Sequence, residues 1–104
     1  MKQQHTGPGA KLAAGLQRYA AVPGAALVDV REDYEYAAGH VPDSVNWPGS
    51  RLGAAVPPWP KTTPLFVYCV SGMRSARACT ALRAMGYEAV NIGGVQGYAG
   101  PLER

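Results

Sequence analysis

Cysteine is scarce in this sequence: only Cys69 and Cys79 occur among its 104 residues. Two cysteines cannot build a disulfide framework or provide the four ligands of a structural zinc site. The sequence also lacks the ~20-residue apolar run of a membrane-spanning helix and, at its first residues, the apolar segment of a secretory signal. These absences predict a cytoplasmic protein in a reducing setting, with no metal, no dissociable cofactor and no membrane partner.

Charged residues are also few, at 16 % of the sequence, and they leave a formal net charge of +3. They are unevenly distributed, because an acidic block lies within residues 29–43 and three arginines lie within residues 74–83. A nucleic-acid-binding domain usually carries a strong basic excess, which this sequence lacks, so no nucleic-acid partner is expected. The arginine cluster has two interpretations, a solvated helix face or an anion site.

The length of the chain suffices for one domain with its own core but not for two, so residues 1–104 are predicted to form a single domain. Glycine and proline are abundant, at 13 and 9 residues, and predict short elements bounded by turns. The apolar spacing predicts helices at 11–20, 32–38 and 75–85 and strands at 26–30, 44–47, 65–69 and 87–92, with a loop at 48–64 and a break at Gly93-Gly94. Because strands that alternate with helices pair in parallel, we predict an α/β fold whose mainly parallel central sheet is flanked by helices.

One loop joins the predicted strand 65–69 to the helix that follows it. Cys69 ends the strand, and Val70-Ser71-Gly72-Met73-Arg74 leads into the helix. Parallel sheets bind their ligands at the carboxyl ends of the strands. A helix N-terminus, inward-pointing N–H groups around Gly72 and the charge of Arg74 would each favour a thiolate there. The pattern therefore predicts a nucleophilic Cys69 with a lowered pKa, and the alternative is a cysteine that merely ends a buried strand.

Several segments, in a fixed order, resemble the rhodanese family of sulfurtransferases. They cover about residues 26–98 and comprise Leu27 to Arg31, Tyr36, Gly39-His40-Val41-Pro42, Ser44-Val45-Asn46, the loop Cys69 to Ser75 with the pattern C-x-x-G-x-R-S, and Gly93-Gly94 followed by Tyr98. The family commonly has tryptophan where Tyr98 stands and often a small residue where Asp43 stands. The resemblance implies a rhodanese-like domain of the single-domain type.

The resemblance also implies a sulfurtransferase that forms a persulfide on Cys69. The thiolate would take a sulfane sulfur from a small anionic donor, thiosulfate or a related persulfide, and pass it to cyanide or a thiol; a protein is a further candidate acceptor. The substrate-binding residues that it implies all lie in the loop: Arg74, Val70, Ser71, Gly72, Met73 and Ser75. Arg74 would bind the donor, Ser75 would cap the helix and donate to the sulfur, and Asp29 and Arg31 are candidate supporting residues.

Two other functions stay open at this point. Cysteine-dependent phosphatases and arsenate reductases use a C-x5-R loop, whereas this sequence has C-x4-R, and the shorter loop favours sulfur transfer. A rhodanese-like module could instead be non-catalytic, or could carry sulfur between protein partners. Four aromatic residues are candidates for such a docking surface, with burial as their alternative role: Tyr34, Tyr36, Trp47 and Trp59.

Three further residues receive structural interpretations. Arg31 is expected to pair with Glu35, one turn further along the chain. His40 is expected to fix the turn between Gly39 and Pro42. Cys79 is expected to lie on the apolar face of the helix 75–85 and to belong to the core.

Overall fold

The computed structural model describes Gly7 and residues 9–104. In this part of the chain, three α-helices alternate with four β-strands, and a short 3-10 turn at Gly49–Arg51 lies in the long predicted loop. The elements in chain order are α1 (Ala10–Ala20), β1 (Ala26–Asp29), α2 (Asp33–Ala38), β2 (Val45–Asn46), β3 (Leu65–Cys69), α3 (Met73–Ala84) and β4 (Ala89–Gly94). No helix among the described residues is both long and apolar enough to cross a membrane.

The four strands form one sheet in the order β2-β1-β3-β4, and every neighbouring pair is parallel. β1 and β3 are the central strands, with Val28 opposite Val67. The chain crosses from β1 to β2 through α2 and from β3 to β4 through α3, as parallel pairing requires. The predicted α/β fold with a mainly parallel central sheet and flanking helices is confirmed. The parallel strands β1, β3 and β4 end at Asp29, Cys69 and Gly94, so these three residues lie at the same edge of the sheet.

β3 is buried along its whole length and separates two apolar layers. Leu65, Val67 and Cys69 pack in the layer that contains Cys79 and Leu82 of α3. The alternate residues, Phe66 and Tyr68, belong to the other layer, together with Leu12 of α1. Because both faces of the strand are covered, its sequence is a continuous apolar run and not an alternating one.

Two predicted boundaries near the carboxyl edge are wrong. The last strand was expected at 87–92 with a break at Gly93-Gly94, but β4 continues through both glycines to Gly94. The helix expected at 75–85 begins two residues earlier, at Met73. Both differences bring β4 and the first turn of α3 closer to Cys69 than the sequence suggested.

Candidate functional site

Cys69 lies at the carboxyl end of β3, where the chain turns through Val70 and Ser71 into α3. Gly72 is the N-cap of α3 and has a φ of 98°, a left-handed conformation that favours glycine. Gly94 lies against the same loop, and a Cβ at this position would collide with the Val70 carbonyl. The two glycines therefore allow the loop to fold tightly around Cys69, which is only 1 % exposed.

Three hydrogen-bond donors converge on the sulfur of Cys69. The main-chain N–H of Gly72 lies 3.0 Å from Sγ, the N–H of Ser75 lies 3.4 Å away, and the Ser75 hydroxyl lies 3.3 Å away. Burial is the largest influence and raises the pKa of the thiol, but these hydrogen bonds and one from the main-chain N–H of Arg74 outweigh it. The pKa of Cys69 therefore lies below its ordinary value, in the direction that the sequence predicted.

Ser75 does not cap the helix, so that prediction is wrong. The cap is Gly72, and Ser75 lies three residues further along, fully buried at the start of α3. Its hydroxyl is 3.3 Å from the Cys69 sulfur and 2.7 Å from Oδ1 of Asn91. A hydroxyl carries one proton, so Ser75 donates at any one time to the sulfur, to Oδ1 of Asn91 or to the Gly93 carbonyl at 3.4 Å.

Asn91 of β4 is a site residue that the sequence analysis missed. Its Oδ1 accepts from the Ser75 hydroxyl and from the N–H of Gly93 at 3.0 Å, while its Nδ2 donates to the Gly72 carbonyl at 3.0 Å. One carboxamide thus links β4 to the N-cap and the first turn of α3. A signal was present in the sequence, because asparagine is disfavoured inside strands and Asn91 lies within the strand Ala89–Gly94.

Arg74 is held by a carboxylate. Its two terminal nitrogens donate to the two oxygens of Glu35, at 2.8 and 2.9 Å. The hydrogen bond from Arg74 is the main cause that lowers the pKa of Glu35 to about 2, so this carboxylate stays charged at neutral pH. The sequence analysis did not anticipate this partner, and donor binding by Arg74 stays a prediction.

The expected pair between Arg31 and Glu35 is wrong, because Arg31 instead pairs with Asp29. The closest of their contacts joins Nη2 of Arg31 to Oδ2 of Asp29 at 2.7 Å, and Arg31 also donates to the Gly39 carbonyl at 2.7 Å. Both residues are buried. The Asp29–Arg31 pair therefore holds the carboxyl end of β1 against the chain that follows α2. Glu35 does not pair with Arg31 and instead binds Arg74.

The remaining loop residues are uncharged and more open. Met73 is 67 % exposed, and its N–H lies 3.4 Å from the Ser71 hydroxyl. Val70 is half-buried, and its carbonyl accepts from Gln96 at 3.0 Å. The side chains of Val70, Ser71 and Met73 therefore form the walls of the loop and contribute no charge.

The other candidates lie away from the sulfur. Cys79 is buried in the core as predicted, where burial raises its pKa to about 11. The His40 ring stacks on Tyr36 with centroids 3.7 Å apart and bonds the Tyr36 carbonyl through Nδ1, so it fixes the predicted turn. Trp47 and Trp59 pack against the core. No three His, Cys, Asp or Glu side chains in the described part of the chain are grouped to hold a metal ion.

Ser75→Ala is expected to raise the pKa of Cys69, because it removes a hydroxyl whose hydrogen bond to Sγ lowers this pKa. Less thiolate at neutral pH should slow alkylation of Cys69 by iodoacetamide at pH 7 by about tenfold. At a pH above the pKa of Cys69 in both proteins, the unmodified protein and the variant should be alkylated at the same rate. Thr80→Ala is the matched control, since its hydroxyl bonds the Ala76 carbonyl on the same helix. If alkylation of Ser75→Ala had the same pH dependence as alkylation of the unmodified protein, the Ser75 hydroxyl would not lower the pKa of Cys69.

Comparisons with known proteins show what this chain is similar to. The sequence profile of the Rhodanese-like domain matches residues 10–100. A protein of Allochromatium vinosum named sulfurtransferase is 37 % identical over 68 % of this chain and 66 % of its own length. A second curated relative, from Synechocystis, is matched over only 36 % of its length, so the chain spans less than two thirds of these relatives.

Two solved structures show the same fold. A rhodanese-like domain protein of Staphylococcus aureus has a TM-score of 0.73 at 30 % identity, covering 85 % of this chain and 89 % of that one. A human single-domain sulfurtransferase has a TM-score of 0.68 at 29 % identity, covering 78 % of this chain and 85 % of that one.

Proposed function

The chain belongs to the family of rhodanese-like domains, and we propose that it is a sulfurtransferase whose Cys69 carries the transferred sulfur. The observation that carries this proposal is the convergence of the Gly72 N–H, the Ser75 N–H and the Ser75 hydroxyl on Sγ. These donors stabilise a thiolate without a neighbouring base. A thiolate at the end of a parallel strand is the nucleophile that sulfur transfer needs.

In the first step, the Cys69 thiolate attacks the sulfane sulfur of the donor. With thiosulfate, the S–S bond of the donor breaks and sulfite leaves with the electron pair; with a persulfide, a thiolate leaves. The product in both cases is a persulfide on Cys69. Because the attacking group is already ionised, the step needs no general base.

In the second step, the acceptor attacks the outer sulfur of the persulfide. Cyanide leaves as thiocyanate, and a thiolate acceptor leaves as its own persulfide, while Cys69 recovers its electron pair and becomes a thiolate again. The hydrogen bonds to Sγ act here as well, because they stabilise the negative charge as it returns to the sulfur. Alternation of the two steps gives ping-pong kinetics.

The proposal gives the neighbouring residues supporting roles. Val70, Ser71, Gly72 and Met73 shape the space around the outer sulfur, and the main-chain N–H of Arg74 helps to lower the pKa of Cys69. Asp29 and Arg31 hold the adjacent end of β1. A protein thiol fits the same scheme as an acceptor, and a reducing, cytoplasmic setting is part of the proposal, because both cysteines are free and Cys69 must be reduced to attack the donor.

Phosphate chemistry is less well supported by the site. A cysteine-dependent phosphatase uses its loop arginine to bind the oxygens of the phosphate as a fork. In this chain the fork of Arg74 is occupied by Glu35. The contact between Arg74 and Glu35 also affects which sulfur donor the site prefers.

The intact mass of the reduced protein, measured after incubation with thiosulfate or with glutathione persulfide, tests the proposal. We expect a gain of one sulfur atom that cyanide removes, with thiocyanate as the product. A protein that gains no sulfur from either donor would refute transfer through Cys69. The non-catalytic docking module would then be the better description.

A further inference from the structure

The charge of Arg74 is offset inside the protein. Glu35 contacts both terminal nitrogens of its guanidinium, and Oε1 of Glu35 also accepts from the main-chain N–H of Glu32 at 2.9 Å. The second contact belongs to a capping box at the start of α2, so the carboxylate is anchored at its own end. A pKa of about 2 keeps Glu35 ionised at every physiological pH. The guanidinium and carboxylate together form a neutral unit.

No other charge lies within the loop. Val70, Ser71, Gly72 and Met73 are uncharged, so a Cys69 thiolate leaves the site with a net negative charge. Two further cations, Lys11 and Arg77, line surface hollows on either side of the loop. Both are exposed, where solvent and salt weaken their effect.

Two exposed side chains next to the Arg74–Glu35 pair in the chain are apolar or aromatic. Met73 precedes Arg74 and is 67 % exposed, and Tyr34 precedes Glu35 and is 72 % exposed. A donor with an organic group therefore has uncharged surface available beside the pair.

We propose that Glu35 is a specificity-determining residue, which neutralises Arg74 and thereby selects an organic persulfide over dianionic thiosulfate as the sulfur donor. This inference rests on the proposed function. Thiosulfate brings two negative charges to a negative site, and like charges in such proximity repel. The reacting S–SH group of a persulfide brings at most one negative charge, and an uncharged organic group attached to it can contact the exposed Met73 side chain.

The preferred reaction is balanced without another reactant. The Cys69 thiolate attacks the outer sulfur of R–S–SH, a new S–S bond forms at Cys69, and the S–S bond of the donor breaks. The electron pair of that bond leaves with R–S⁻, and the proton stays on the transferred sulfur. The negative charge of the Cys69 thiolate thus leaves the site with the product R–S⁻.

Glu35→Gln tests the assignment. Glutamine has nearly the same shape and retains the acceptor that the capping box uses, but it leaves the charge of Arg74 uncompensated. The ratio of kcat/KM for thiosulfate to kcat/KM for 2-mercaptoethanol persulfide, an organic persulfide whose organic group is uncharged, should rise by about tenfold, as expected for one charge interaction at a half-buried site. The change should appear mainly as a lower KM for thiosulfate. Glu88→Gln, which removes an exposed carboxylate before β4, should leave the ratio unchanged.

The unmodified protein provides a second measurement that does not depend on folding of a variant. If the site repels thiosulfate, the second-order rate of Cys69 persulfide formation should increase with ionic strength between about 0.01 M and 1 M. The rate with the organic persulfide should change much less. A thiosulfate rate that falls with added salt would show that cations such as Lys11 and Arg77 attract this donor, and it would overturn the inference.

The outcomes separate the two proposals. A chain that forms the Cys69 persulfide equally well from both donors, or a Glu35→Gln variant with an unchanged ratio, refutes selection by Glu35 and leaves sulfur transfer intact. A chain that gains no sulfur from either donor refutes sulfur transfer itself.

Discussion

Cys69→Ala is expected to abolish the gain of sulfur from every donor and to lower the rate of sulfur transfer by about a thousandfold or more. The reason is that the sulfur of Cys69 is the atom on which the loop and helix donors converge. Alanine removes the nucleophile but only one buried heavy atom, so the fold should survive. Intact mass after incubation with the donor, together with thiocyanate release by cyanide, measures both effects.

Cys79→Ala is the matched control for this experiment. Both cysteines are 1 % exposed, so the two variants remove the same atom from equally buried positions. Burial raises the pKa of Cys79 to about 11, and this thiol therefore stays protonated at neutral pH. Cys79→Ala should keep the gain of sulfur. If Cys69→Ala still gained a cyanide-labile sulfur and Cys79→Ala did not, the roles of the two cysteines would have to be exchanged.

The features of the fold that depend on local sequence could be predicted. The apolar run Leu65–Cys69 and the helix behind it indicate a buried strand with a crossover, and the structure has both. The end of β4 could not be predicted in the same way. Gly93-Gly94 is typical of a strand break, yet the strand continues because Gly94 pairs with Cys69 of β3, and its lack of a side chain leaves room for the loop carbonyl of Val70. That contact is tertiary and leaves no local pattern.

The same distinction applies to the site. Cys69, Gly72 and Ser75 are close in the chain, so the loop pattern could place them together. Glu35 is 39 residues from Arg74, and Asn91 is 16 residues from Ser75. Only the packing of α2 and β4 beside the loop brings them into contact. The predicted pairing of Arg31 with Glu35 was wrong for the same reason, because it too depended on packing. The carboxylate of Asp29 is buried beside Arg31 and accepts its hydrogen bonds.

Asp29→Ala is expected to lower the free energy of unfolding by about 3–5 kcal/mol, because it leaves the buried guanidinium of Arg31 without its carboxylate. Asp29 is fully buried and accepts from the main-chain N–H, the Nε and the Nη2 of Arg31. Domains of this size are stable by about 5–15 kcal/mol, so the loss is a large share of the total. Urea unfolding followed by the fluorescence of Trp47 and Trp59, which pack against the core, measures it.

The double variant Asp29→Ala with Arg31→Met distinguishes loss of the pair from loss of packing. Methionine fills much of the space of the arginine without its charge, and replacing both partners of a buried pair by apolar groups is often close to neutral. The double variant should therefore be more stable than Asp29→Ala alone. If the single variant instead kept its stability but formed the Cys69 persulfide slowly, Asp29 and Arg31 would act on the site itself. The pair lies at the end of β1, beside the strand that carries Cys69, so a change there could reach the loop without unfolding the protein.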